Sequence, residues 1–151
     1  MDLRDFMLLL HIAGAGTWLG ANVVQMMAPP LAAAQGPEVA AGWMRMGAGF
    51  AKRLYMPVGI LVLITGVVLV LISDGAYTFG SLFVTIGLAV VIIGGLLGGL
   101  VFGPGAEKAG EAIESGDQSR IAAVTGRLAR YGVLDTLLLL FAIMVMILRW
   151  D

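Results

Sequence analysis

Cysteine is absent from this 151-residue chain, and histidine occurs once. The first absence excludes disulfides, thiolate nucleophiles and cysteine-held metals or clusters, and it leaves the redox compartment open. Charge is scarce as well. Asp, Glu, Lys and Arg make up 13% of the residues, against about a quarter in an average soluble domain. The net charge of −1 offers nucleic acid no basic surface, so no nucleic-acid partner is expected.

What is present is apolar: 60% of the chain is hydrophobic and its mean hydropathy is +0.98. No charged residue occurs over 6–37, 54–73 or 75–103, and 131–148 holds Asp135 alone. A spanning helix needs about 20 apolar residues. The four runs therefore predict an all-α, polytopic membrane protein, a four-transmembrane-helix bundle forming one membrane domain over 1–151. The lipid bilayer is its first partner. Helices are expected at about 5–34, 52–73, 78–102 and 129–149, with cytoplasmic segments at 35–51 and 103–128. The first run is read as a true span and not a signal peptide, because its start, MDLRD, carries two acids against one arginine.

Punctuation residues set the boundaries. Pro29-Pro30 is expected to bend the inner end of the first helix, and Gln35-Gly36-Pro37 to break it. A separate short helix with Trp43, Met44 and Met46 is expected near the interface before the second span takes over around Lys52. Ser73-Asp74-Gly75 reads as a tight turn, and Gly103-Pro104-Gly105 as the stop of the third helix. Beyond a break at Ser115-Gly116-Asp117, Asp117 or Ser119 is placed to cap a helix that runs into the fourth span and ends near Trp150. Arg45, Lys52, Arg53, Lys108, Arg120, Arg127 and Arg130 lie in the two longer connections, against Arg4 and Arg149 on the other side. This seven-to-two bias predicts both termini outside a bacterial cytoplasmic (inner) membrane.

The lone histidine, His11, falls inside the first span, where an ionisable group is costly and marks a functional-site hypothesis. At about 100° per residue, His11, Ala15, Trp18, Asn22 and Gln25 share one helical face. Lipid offers such groups no hydrogen bond, so the face is expected to turn into the bundle. The plainer reading is a helix held to its neighbours by polar contacts. Depth divides the candidates into two layers. His11 lies roughly 9 Å below the outer end, level with Thr65, Gly66, Phe83 to Thr85 and Met144. Asn22 and Gln25 lie deeper, with Lys52, Arg53, Tyr55, Arg130 and Asp135. A structural ion pair from Asp135 to Arg53 or Lys52 is expected, with a proton relay as the sharper alternative. The glycines Gly94, Gly95, Gly98, Gly99 and Gly103, and the pair Gly16 and Gly20, form small-residue stripes suited to close helix packing or a homodimer seam.

A neutral imidazole in a membrane suits axial haem ligation, with methionine as a second axial ligand, or proton shuttling. One histidine allows His plus Met, a five-coordinate iron, or a haem shared across a dimer. Copper is less suited, because Met44-x-Met46 and Met144-x-Met146 put their sulfurs on opposite sides of a helix. Methionine at such positions is usual core filler.

The stretches LLLHIAGAGTWLGANV and AKRLYMPVGILVLITGVVLVL resemble the first two helices of the HemJ/CopD-like superfamily of small bacterial four-helix membrane proteins. The shared pattern is a histidine, a tryptophan about seven residues on, a small-residue step, then a basic residue and Leu-Tyr before a proline. The chain is most similar to the branch of that superfamily with no assigned reaction. The resemblance implies a haem-b-binding redox protein with His11 as metal ligand and Ala15, Trp18, Asn22, Arg53 and Met144 around the cofactor. Arg53 and Pro57 mark the family-like start of the second helix. Where HemJ proteins carry an aromatic, proline, arginine and second histidine, this chain reads LGANVVQMMAPP, which points away from protoporphyrinogen oxidation. The extra spans and histidines of CopD copper transport are likewise missing. The alternative is a non-enzymatic accessory subunit of a larger respiratory or photosynthetic membrane complex, and either reading suits a homo-oligomer.

Overall fold

The computed structural model describes residues 1–149 as an all-α bundle of four long helices. These are α1 (Leu3–Ala34), α2 (Pro37–Leu71), α3 (Leu82–Ser115) and α4 (Gln118–Leu148), each apolar enough and long enough to cross a membrane. The expected end of the fourth helix near Trp150 lies outside the described residues. Each helix packs mainly on its chain neighbours, and α1 closes the square against α4, so α2 and α4 stand at opposite corners. Large apolar side chains such as Ile12, Ile60, Ile64, Ile92, Leu137 and Ile147 face outward, as a bilayer-embedded bundle requires.

The helices have 32, 35, 34 and 31 residues. At about 1.5 Å per residue they exceed a hydrocarbon core of roughly 30 Å. The excess accounts for a correction to the expected boundaries. No separate interfacial helix precedes the second span, and the third does not stop at Gly103-Pro104-Gly105. Both helices continue through a π-helical turn, Ala51–Tyr55 in α2 and Gly98–Phe102 in α3. Each turn lies just before a proline, Pro57 or Pro104. A proline ring collides with the carbonyl four residues back, here that of Arg53 or Leu100. Those two carbonyls fall within the wider π turns, where the bonding has shifted to i→i+5: the Met56 N–H donates to the Ala51 carbonyl and the Gly103 N–H to that of Gly98. The helix thus absorbs a residue that would otherwise end it.

On the far side of the π turns from the α2–α3 connection, Pro37–Phe50 of α2 and Gly103–Ser115 of α3 pack on one another through small side chains. Ala40, Ala41, Ala106, Ala109 and Ala112 are buried, and Arg45 pairs with Glu114 across the contact. The break at Gly116 is as expected, with φ 69°. Asp117 caps α4: its Oδ1 accepts from the Arg120 N–H at 3.0 Å and from the Ser119 hydroxyl at 2.7 Å. Gly36 (φ 122°) separates α1 from α2, as expected. The link between α2 and α3 is longer than the tight turn expected at Ser73-Asp74-Gly75: it runs over 72–81, with Gly75 at φ 81°, and α3 starts at Leu82 and not near Thr78.

The Ser119 hydroxyl first, and the Arg120 N–H second, hold the Asp117 carboxyl below its ordinary value of 3.8. A depressed folded-state value means the cap is complete above about pH 4 and is lost as pH falls through the lowered value. Amide protection at the first turn of α4, taken relative to the intrinsic exchange rate at each pH, should therefore fall on acidification below pH ~4, and Asp117→Asn should flatten that dependence.

Candidate functional site

Trp18 is the residue on which all four helices meet. Its indole is 4% exposed and lies edge-on to Tyr55 of α2, with ring centroids 6.5 Å apart. A Cβ built on Gly59 would touch the ring at 3.7 Å, and one on Gly94 of α3 would overlap it. Gly94 is therefore glycine because the indole occupies the space a side chain would need. The remaining helix, α4, contributes Asp135, 3% exposed.

Two donors on α1 reach that carboxylate. Trp18 Nε1 donates to Asp135 Oδ2 at 3.2 Å, and Asn22 Nδ2 donates to the same oxygen at 2.8 Å. Trp18 and Asn22 are four residues apart, hence on one face of α1. A carboxylate at the centre of a membrane helix costs about 2.5–3.5 kcal/mol on insertion scales, and less towards the helix end, where Asp135 lies five residues past Arg130. A hydrogen bond to a charged group returns about 1.5–3 kcal/mol, so two such bonds offset the cost without a cation. The expected ion pair to Arg53 or Lys52 does not form. Both side chains are exposed on α2, at the corner diagonal to α4, and the ion pairs among the described residues are Arg45–Glu114 and Arg120–Glu111.

His11 belongs to a second cluster, between α1 and α2. Gly14 permits it: a Cβ there would lie 2.7 Å from Val62 Cγ2, so its absence lets the two backbones approach. The imidazole Nδ1 lies 3.0 Å from the Val62 carbonyl oxygen and 3.1 Å from Thr65 Oγ1. Thr65 in turn donates to the Leu61 carbonyl at 2.6 Å. A carbonyl oxygen only accepts, so Nδ1 must carry the proton and donate it. Nε2 is left with its lone pair. Gly66 lies beside the ring, 3.1 Å from Cε1 to a Cβ built there. The expected level of Thr65 and Gly66 with His11 is thus what the structure has.

The sequence-derived candidates separate accordingly. Trp18 and Asn22 join Asp135, and His11 joins Val62 and Thr65 one layer away. Ala15 is half-buried on the same face of α1, as is Gln25, whose Oε1 is enclosed without a protein partner. Arg53 is exposed and takes no part in either cluster. Met144 is 41% exposed, while its neighbour Val145 is fully buried. The donor chemistry of His11 fits an axial imidazole. The opposing ligand expected at Met144 does not turn into the bundle. Sequence reasoning placed Gly94 in a packing stripe without its partner, the Trp18 indole, and missed the Val62 carbonyl, which carries no side-chain signal. The pairing of Asp135 with Asn22 was within its reach, since both lie in the deeper layer.

No family model, curated protein or solved structure matches the chain.

Two substitution pairs test this packing. Gly94→Ala should lower stability in detergent by about 1–3 kcal/mol, the usual cost of overpacking. Gly95→Ala, whose Cβ meets nothing within 4 Å, should be neutral or stabilise by up to ~1 kcal/mol. Asp135→Asn should stay within ~1 kcal/mol of the parent, because one amide oxygen can accept both donors. Asp135→Leu should cost at least ~2 kcal/mol, leaving two buried N–H groups unpaired. Thermal unfolding followed by tryptophan fluorescence reads all four.

Proposed function

We propose that this chain is an integral membrane haem-b-binding redox protein of HemJ/CopD-like type, with His11 as the axial ligand. The observation that carries the reading is the His11 Nδ1–H bond to the Val62 carbonyl, 3.0 Å long, which orients the ring and, in the neutral imidazole, leaves the lone pair on Nε2. Metal-ligating imidazoles characteristically donate their other N–H to a carbonyl or carboxylate, which fixes the tautomer and raises ligand basicity. Haem b, when bound, supplies one-electron chemistry. Val62 and Thr65 hold the ligand, Gly66 leaves room beside the ring, and Asp135 fixes Trp18 and Asn22 one layer away. Met144 faces outward and is left out of the residues that would hold the haem. A homodimer is part of the proposal. The placement is the bacterial cytoplasmic membrane with both termini outside, supported by the seven lysines and arginines of the two longer connections.

A second reading, an accessory subunit of a larger membrane complex, is favoured by one feature. Gly95, Gly98 and Gly99 of α3 and Gly16 and Gly20 of α1 have nothing within 4 Å of where a Cβ would stand. Such unfilled stripes suit another helix. Native mass measurement after gentle extraction separates the readings: a lone homogeneous oligomer counts against the subunit role.

The purified protein, supplemented with haem, should show a Soret band that His11→Ala abolishes. Met144→Leu should leave that band unchanged. A preparation with no Soret band after supplementation refutes the proposal.

A further inference from the structure

We propose that Arg127, Arg130, Tyr131 and Leu134 form a binding site for one anionic phospholipid at the boundary of the membrane. These residues line an open groove of about 320 Å³ on α4. Their spacing of three, four and seven places them on one helical face. The Arg127 guanidinium lies over the Tyr131 ring, 5.7 Å from its centroid, which holds the cation in the groove.

Charge selects the occupant. Arg45 is neutralised by Glu114 and Arg120 by Glu111. Arg127 and Arg130 are exposed and take part in neither of the ion pairs among the described residues. The acid nearest to them along α4 is Asp135, which is buried and engaged by Trp18 and Asn22. Two guanidinium groups thus stand side by side without counter-charge, and their planar forks match the oxygens of a phosphate.

Position selects lipid over free phosphate. The groove lies where the apolar run 131–148 begins, and Leu134 is exposed at its edge. A phosphodiester headgroup would meet the two arginines, the tyrosine would sit at headgroup level as aromatic residues do, and an acyl chain would continue past Leu134. An inorganic anion has no use for that apolar flank.

The test is native mass spectrometry of the full chain in nanodiscs of phosphatidylcholine, with and without added phosphatidylglycerol. One phosphatidylglycerol should be retained in preference to phosphatidylcholine, and inorganic phosphate should not displace it. Arg127→Gln with Arg130→Gln should reduce retention by roughly thirtyfold, from two basic groups at an anionic surface. The stem-preserving change at exposed positions should leave the unfolding temperature in place. Arg45→Gln and Arg120→Gln should retain lipid as the parent does. Equal retention of the two lipids, or undiminished retention by the double variant, would overturn the site. Displacement by phosphate alone would overturn its assignment to lipid.

Discussion

A carboxylate buried between helices must find donors, and the bundle is organised around how Asp135 finds them. Trp18 and Asn22 both aim at Oδ2, so one oxygen joins α4 to α1 twice. In hydrocarbon no water can replace those bonds. The indole that makes one of them also fills the centre of the bundle, against Tyr55 and the bare backbones at Gly59 and Gly94. Polar satisfaction and packing are therefore a single constraint at this level. Moving the ring to improve either would break the other.

His11 shows a different use of the same physics. It approaches α2 through the gap at Gly14 and donates to a backbone carbonyl that is already within a helix. Carbonyls have two lone pairs, so Val62 can serve the α-helical ladder and the imidazole together. The result is an oriented ring with one nitrogen committed and the other free. That asymmetry distinguishes it from a histidine satisfied at both nitrogens, and it makes the residue a candidate for ligation or proton transfer. Nothing comparable holds Met144, whose side chain lies on the outer surface.

The prolines illustrate how context overrides a local rule. Pro57 and Pro104 each follow a π turn that contains the carbonyl they would strike. The two long inner helices thereby extend past the apolar core and pack through alanines, with Arg45–Glu114 across the seam. Segments that look like loops by composition become helix because they have a partner face to bury. Alanine at the contact positions lets the backbones approach without side-chain ordering cost.

Four spans, the breaks at Gly36 and Gly116, the Asp117 cap and the inward face of α1 were all legible in the amino-acid order, whereas the true lengths of α2 and α3 were not. Each legible feature rests on local chemistry: run length, a φ only glycine adopts readily, a side-chain oxygen near free N–H groups, a repeat of 3.6. Which groups meet across helices was decided by the fold. Asp135 turned to neutral donors on α1 and not to Arg53, because α2 and α4 occupy opposite corners of the square. Val62 entered the His11 site through its backbone, and a carbonyl leaves no trace in a residue's identity. Met144 and Arg53 fell outside both clusters because depth along a helix says nothing about azimuth until neighbours are in place.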